Sequence, residues 1–74
     1  MTRGHPAGAD ERLLRLILAA VPEFTQFYGY APDSLDIALR LGYKPSSVRK
    51  ACAALRLAGK IQHTGATRWQ LTEP

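Results

Sequence analysis

Residues 34–58 read SLDIALRLGYKPSSVRKACAALRLA, a stretch that predicts two helices joined by a tight turn. Ser34 is the predicted N-cap of the first of them, which runs from Leu35 to about Leu41. Gly42 then ends this helix, because glycine adopts the left-handed backbone conformation at little cost. The predicted inward face holds Leu35, Ala38 and Leu39, with Ile37 and Leu41 flanking it.

The next helix starts near Ser46, after a Lys44-Pro45 step, since proline suits a first helical position and serine can cap. It is predicted to end at Gly59. Its apolar side carries Val48, Ala51, Cys52, Leu55 and Ala58, and its other side carries Ser46, Ser47, Arg49, Lys50, Ala53 and Arg56. A small Ala38, a turn glycine and a branched Val48 each meet a separate packing demand. They predict a helix-turn-helix unit, with an ordinary helical hairpin as the alternative.

Upstream of this unit the sequence predicts a tail and one amphipathic segment. Residues 1–9 contain two glycines and a proline without apolar periodicity, so we expect a flexible N-terminal tail before a domain at 10–74. Asp10 can cap a helix whose apolar stripe comprises Leu14, Ile17, Val21, Phe24 and Tyr28. Pro22 lies within this stripe, which predicts a kink or two shorter helices.

Downstream of Gly59, two short β-prone runs predict a hairpin. Residues 61–63 and 67–71 are the predicted strands, and Thr64-Gly65-Ala66 is the turn between them. Trp69 is expected in the core, because the neighbouring apolar residues alternate toward one face. The predicted fold class is therefore mainly α-helical with a small β-hairpin, a winged helix-turn-helix of three helices plus a wing.

Charge is distributed unevenly along the chain. The formal net charge is +4, and no Asp or Glu occurs between Ile37 and Thr72. That stretch holds seven cations: Arg40, Lys44, Arg49, Lys50, Arg56, Lys60 and Arg68. A one-sided positive field attracts polyanions, although a solvated cationic surface would have the same composition.

The exposed side of the third helix has residue types suited to duplex DNA. An α-helix fits the major groove, and an arginine such as Arg49 can pair with guanine through two hydrogen bonds. We expect the wing to reach the flanking phosphate backbone or the minor groove. The predicted DNA-binding residues are Lys44, Ser46, Ser47, Arg49, Lys50, Ala53, Arg56, His63, Thr64 and Arg68.

These residues also carry a family resemblance. The run from Gly29 to Tyr43, the run from Leu55 to Ile61 and the Gly65-containing hairpin resemble the winged helix-turn-helix domain of LexA-type repressors. The similarity covers roughly residues 13–71. It implies a transcriptional repressor that binds DNA as a dimer on paired half-sites, with the helix after the turn in the major groove. On this resemblance the groove contacts fall to Ser46, Ser47, Arg49, Lys50 and Ala53.

Several function classes are disfavoured by composition. Cys52 is the single cysteine, and neither His5 nor His63 has a nucleophile or carboxylate placed beside it, so we expect no enzyme, no metal and no cofactor. The longest apolar run, residues 16–21, is far shorter than the ~20 residues of a membrane span. We therefore expect no membrane span, and a single cysteine without a disulfide partner fits a reducing cytoplasm.

A protein-binding role is the alternative function. Phe24 and Tyr28 lie on the apolar stripe of the first helix, whereas Phe27 and Tyr30 fall outside it. If exposed, these two rings would offer a surface for a protein partner or for a second copy of the chain, which would make a homodimer. The other interpretation is that all four aromatic residues close over the core.

Overall fold

The computed structural model describes residues 10–72. The predicted tail at residues 1–9 and the last two residues of the predicted domain lie outside the described residues. Within residues 10–72 the order of elements is α1 (Glu11–Tyr28), α2 (Ser34–Leu41), α3 (Pro45–Leu57), β1 (Ile61–Thr64) and β2 (Arg68–Leu71). The mainly helical class with a small hairpin is confirmed, and this layout is compatible with a helix-turn-helix followed by a wing.

Helix α1 is capped as the sequence predicts. The Asp10 carboxylate accepts hydrogen bonds from the backbone N–H groups of Arg12 (2.9 Å) and Leu13 (3.4 Å). The structure has one helix through Pro22 rather than two shorter ones. Pro22 lies on the exposed side, and the buried stripe continues past it to Phe24, so packing on both sides outweighs the lost backbone hydrogen bond.

Helix α2 differs from the prediction in its cap and in its buried face. Asp33 is the N-cap instead of Ser34, because Asp33 and Asp36 form a capping box with hydrogen bonds of 2.8 and 3.2 Å. The buried residues are Ile37 and Ala38. Leu35 and Leu39 are 52% and 74% exposed, so their predicted inward position is wrong.

The reason is that α2 has two apolar stripes on opposite sides. Ile37, Ala38 and Leu41 form one stripe, and Leu35 and Leu39, one turn apart, form the other. Only the first stripe packs on the core cluster. Hydrophobic periodicity alone does not distinguish the two.

The turn between α2 and α3 is built on Gly42, as predicted. Gly42 has a φ of 76°, and its N–H donates to the carbonyl of Ala38 at 2.8 Å. Helix α3 then begins at Pro45 with Lys44 as N-cap and no side-chain cap, so the predicted serine cap is wrong. Val48, Ala51, Cys52 and Leu55 are buried as predicted, whereas Ala58 is exposed because the helix has already ended at Leu57.

Strands β1 and β2 form an antiparallel hairpin in which His63 pairs with Trp69 and Thr64 pairs with Arg68. The loop is therefore residues 65–67, one position later than predicted. The hairpin is fastened to the α1–α2 connection: the Trp69 N–H donates to the Pro32 carbonyl at 2.8 Å, and Asp33 forms an isolated bridge with Arg68.

One apolar cluster joins all three helices to the hairpin. It consists of Leu13, Ile17, Val21, Ile37, Ala38, Val48, Ala51, Cys52, Leu55, Ile61 and Trp69. Trp69 is 6% exposed, which confirms its predicted core position. None of the helices within residues 10–72 has the length and apolar character needed to cross a membrane.

Candidate nucleic-acid interface

Helix α3 presents the side opposite its buried stripe to solvent. Because the core fixes Val48, Cys52 and Leu55 inward, the side chains between them must point away from the core. Of the predicted contact residues on this part of the chain, Ser47 is half-buried, and the exposed ones are Lys44, Ser46, Arg49, Lys50, Ala53 and Arg56.

A groove of about 490 Å³ runs between α3 and the hairpin, which we call the α3–hairpin groove. Its α3 wall is Arg49, Ala53 and Arg56, and its other walls are Asp33, Ser34, Leu35, His63, Thr67 and Trp69. The fold thus brings four of the predicted contact residues, Arg49, Ala53, Arg56 and His63, into one concavity. Arg49 and Arg56 are two helical turns apart, about 10 Å along the axis.

Charge in the groove is mainly positive. Two guanidinium groups line it, against one carboxylate, that of Asp33. Asp33 accepts a hydrogen bond from the N–H of Asp36 at the start of α2, where the helix dipole favours a negative charge. Asp36 forms an ion pair with Arg68. Helix α3 itself contains no Asp or Glu, so no acidic side chain on that helix pairs with its cations.

The start of α3 adds backbone donors to this surface. Asp side chains cap α1 and α2, whereas no side chain caps α3 and its first turn contains no acid. N–H groups of a first helical turn have no partner within the helix and bind anions. Lys44 and Ser46 lie exposed at the same end.

His63 forms part of the groove wall by stacking on Trp69. The ring centroids are 3.9 Å apart with an interplanar angle of 24°, and His63 Nδ1 lies 3.4 Å from the Arg68 carbonyl oxygen. Trp69 is itself held, because its Nε1–H donates to Ser34 Oγ at 3.1 Å. The exposed imidazole is therefore positioned by a buried indole.

Arg68 lies outside the groove and contacts the α1–α2 connection. Its Nη1 donates to the Ala31 carbonyl at 2.6 Å and lies 3.5 Å from the Asp36 carboxylate, and the guanidinium sits 5.0 Å from the Tyr30 ring centroid. This cation therefore has three partners within the domain, and no local sequence pattern predicts them. Thr64, its cross-strand partner, is half-buried.

Cys52 is buried beneath the groove. Desolvation raises the pKa of its thiol from the usual 9.0 to about 11, and a hydrogen bond with Ser34 offsets part of the rise. The thiol is therefore neutral at physiological pH and has no thiolate character. No group of three or more His, Cys, Asp or Glu side chains able to hold a metal occurs within residues 10–72.

Two apolar side chains on this side of the domain were not among the predicted contact residues. Leu35 lines the α3–hairpin groove, and Leu57 near the end of α3 is 88% exposed. Leu57 follows Arg56 on the side of α3 away from Leu55, so the helical period of the buried stripe would have placed it outside.

Comparison of the chain with models of known protein families and with curated protein sequences gives no match.

Proposed function

We propose that this chain is a sequence-specific double-stranded DNA-binding protein and acts as a small transcriptional regulator of the repressor kind. In this proposal the fold is a winged helix-turn-helix resembling that of LexA-type repressors, α3 enters the major groove and the hairpin is the wing. The observation that carries the proposal is the outer side of α3, where Arg49, Lys50 and Arg56 are exposed on a stretch without acids.

Base reading falls to the first half of α3. Arg49 and Lys50 carry donors that match the two acceptors of guanine in the major groove, and the short side chain of Ala53 permits close approach to the bases. Ser46 and Ser47, with the uncapped N–H groups of the first turn, suit the phosphates beside that groove.

The wing is assigned to the flanking backbone. His63 and Thr67 face Arg56 across the α3–hairpin groove, so a phosphate strand lying along it meets donors from both walls. We assign Arg68 a different role from that expected from sequence, since its partners Ala31 and Asp36 belong to the fold. Arg68 fixes the wing against the α1–α2 connection. Thr64 remains a proposed contact to the DNA backbone at the tip of the wing.

The first test is a titration of a fluorescent random-sequence duplex at several salt concentrations. The logarithm of the affinity should fall linearly with the logarithm of salt, at about −0.9 per phosphate contacted. Arg49→Ala/Lys50→Ala should reduce affinity more than tenfold at low salt and make the slope less negative by up to about 1.8.

A matched control removes the same charge elsewhere. Arg12 and Arg15 are exposed on α1, so Arg12→Ala/Arg15→Ala lowers the net charge equally without altering α3. This variant should keep the wild-type slope. Equal weakening in both double variants would mean that net charge, and not α3, drives binding, and no binding by the wild type at roughly 50 mM salt would refute the proposal.

Sequence specificity is tested by selecting sites from a randomised duplex pool. The wild type should enrich one motif, and Arg49→Ala should lose preference for guanine at one position, because a bidentate pair contributes about 1–3 kcal/mol of discrimination. If both proteins enriched the same motif, Arg49 would not be a base-contacting residue.

The second candidate function is a winged-helix protein-interaction module, such as an anti-repressor, a polymerase-binding factor or a subunit of a complex. The observation that favours it is the exposure of Phe27 (75%) and Tyr30 (49%). A stable complex with a protein partner that is lost in Phe27→Ala, in a chain that does not bind duplex DNA, would support this function.

A further inference from the structure

We propose that a second copy of this chain docks on an aromatic patch at the α1–α2 corner and forms a two-fold dimer. The aromatic patch consists of Phe27, Tyr28, Tyr30 and Leu39, which are 75%, 47%, 49% and 74% exposed. This patch is separate from the α3–hairpin groove, and dimerisation through it does not require DNA binding.

The patch is continuous and ordered by its own contacts. Phe27 packs edge-on against Tyr28, with centroids 4.8 Å apart, and Phe24 joins Tyr28 at 4.4 Å and Tyr30 at 5.5 Å. Phe24 is buried and anchors the rings to the core side of α1. Rings fixed in this way lose little conformational freedom on binding, which favours a docking surface over a mobile one.

Its area matches a small, reversible interface. At about 200 Å² per aromatic side chain, and somewhat less for leucine, the patch exposes roughly 450 Å². Two such patches facing each other bury at most about 900 Å², which is close to the ~1,000 Å² lower limit of specific interfaces and typical of weak, reversible contacts. We therefore expect a reversible dimer whose population depends on protein concentration.

The charges beside the patch are complementary under two-fold symmetry. Glu23 precedes Phe27 by one turn of α1, and Arg40 lines the shallow hollow formed with Tyr28 and Leu39. The ion pair found within residues 10–72 joins Arg68 to Asp36, so neither Glu23 nor Arg40 is paired there. An isologous interface sets the α1 edge of one copy against the α2 edge of the other and forms the Glu23–Arg40 pair twice.

The test is sedimentation equilibrium of the full chain from about 5 to 500 µM at physiological salt. The wild type should show a monomer–dimer equilibrium, and Phe27→Asp should be monomeric throughout. Leu57→Asp places the same charge on a leucine that is 88% exposed and lies outside the patch, and this variant should dimerise like the wild type. Far-UV circular dichroism checks that both variants fold. If Phe27→Asp does not fold, Leu39→Asp replaces it as the patch variant.

Charge reversal tests the two-fold arrangement. Glu23→Arg and Arg40→Glu should each weaken the dimer by roughly tenfold, since each reversal replaces two attractive pairs by two repulsive ones. The double variant should regain most of the lost affinity. A chain that is monomeric at all concentrations, a dimer that survives Phe27→Asp, or a double variant weaker than both single ones would overturn the proposal.

Discussion

Replacing Arg68 by alanine should destabilise the domain by about 2 kcal/mol, because one guanidinium fastens the hairpin to the α1–α2 connection. The substitution removes a charged hydrogen bond to the Ala31 carbonyl (2.6 Å), an ion pair with Asp36 (3.5 Å) and a cation–π contact with Tyr30 (5.0 Å). The hydrogen bond contributes about 1–1.5 kcal/mol, and the cation–π contact adds about 0.5 kcal/mol at an exposed site.

The ion pair adds little to this sum. The side chains of Arg68 and Asp36 are 43% and 30% exposed, so solvent screens their attraction and a few tenths of a kcal/mol is the appropriate figure. For a domain of this size, a loss of about 2 kcal/mol lowers the melting temperature by roughly 8–16 °C. Thermal and urea unfolding followed by circular dichroism measure both quantities.

Two variants separate the contributions. Arg68→Lys keeps the charge but cannot reproduce the planar fork, so it should recover less than half of the loss. Lys60→Ala removes an exposed cation beside the same hairpin and should change stability by less than 0.5 kcal/mol. If the unfolding free energy of Arg68→Ala lies within 0.5 kcal/mol of the wild-type value, the guanidinium does not fasten the hairpin.

Three further perturbations follow from single contacts. Gly42→Ala should cost about 1 kcal/mol in urea unfolding, because φ is 76° and no atom lies within 4 Å of the added Cβ; a neutral result would contradict the left-handed turn. Ser34→Ala should lower the unfolding free energy by about 1–2 kcal/mol, because it leaves the buried Trp69 Nε1–H without a hydrogen-bond acceptor. Unchanged indole fluorescence and stability would refute this hydrogen bond. The neutral Cys52 thiol contributes stability that is complete below pH 9 and lost as pH rises toward 11, because its pKa is raised from 9.0 to about 11. The unfolding free energy of the wild type relative to Cys52→Ala should therefore fall by about 2–3 kcal/mol between pH 8 and 11.5, and a pH-independent difference would rule out the shift.

The sequence predicted the elements of this fold better than their faces. Capping of α1 by Asp10, the turn at Gly42 and the buried side of α3 all follow from local rules that need no tertiary information. Helix α2 is different, because its two apolar stripes are equally helical. The packing of α3 and the hairpin decides that Ile37 is buried and Leu39 exposed.

The candidate site was also predictable only where local sequence patterns determine it. An acid-free stretch and the helical period place Arg49, Lys50 and Arg56 on the outer side of α3 without a structure. The partners of Arg68 lie more than thirty residues away in the chain, at Ala31 and Asp36, and no local pattern reports contacts of that range. The pairing of His63 with Trp69 likewise depends on the hairpin register, and the predicted turn was one residue away from the observed one.

The measurement that most directly tests α3 as a DNA-reading helix is an amide NMR titration of the full chain with a short duplex at about 50 mM salt. We expect the largest chemical-shift changes at residues 46–53, a second group of changes at residues 64–67, and none around Arg12 and Arg15. Changes centred on Phe27 and Tyr30 with an unaffected α3, or no changes at all, would contradict it.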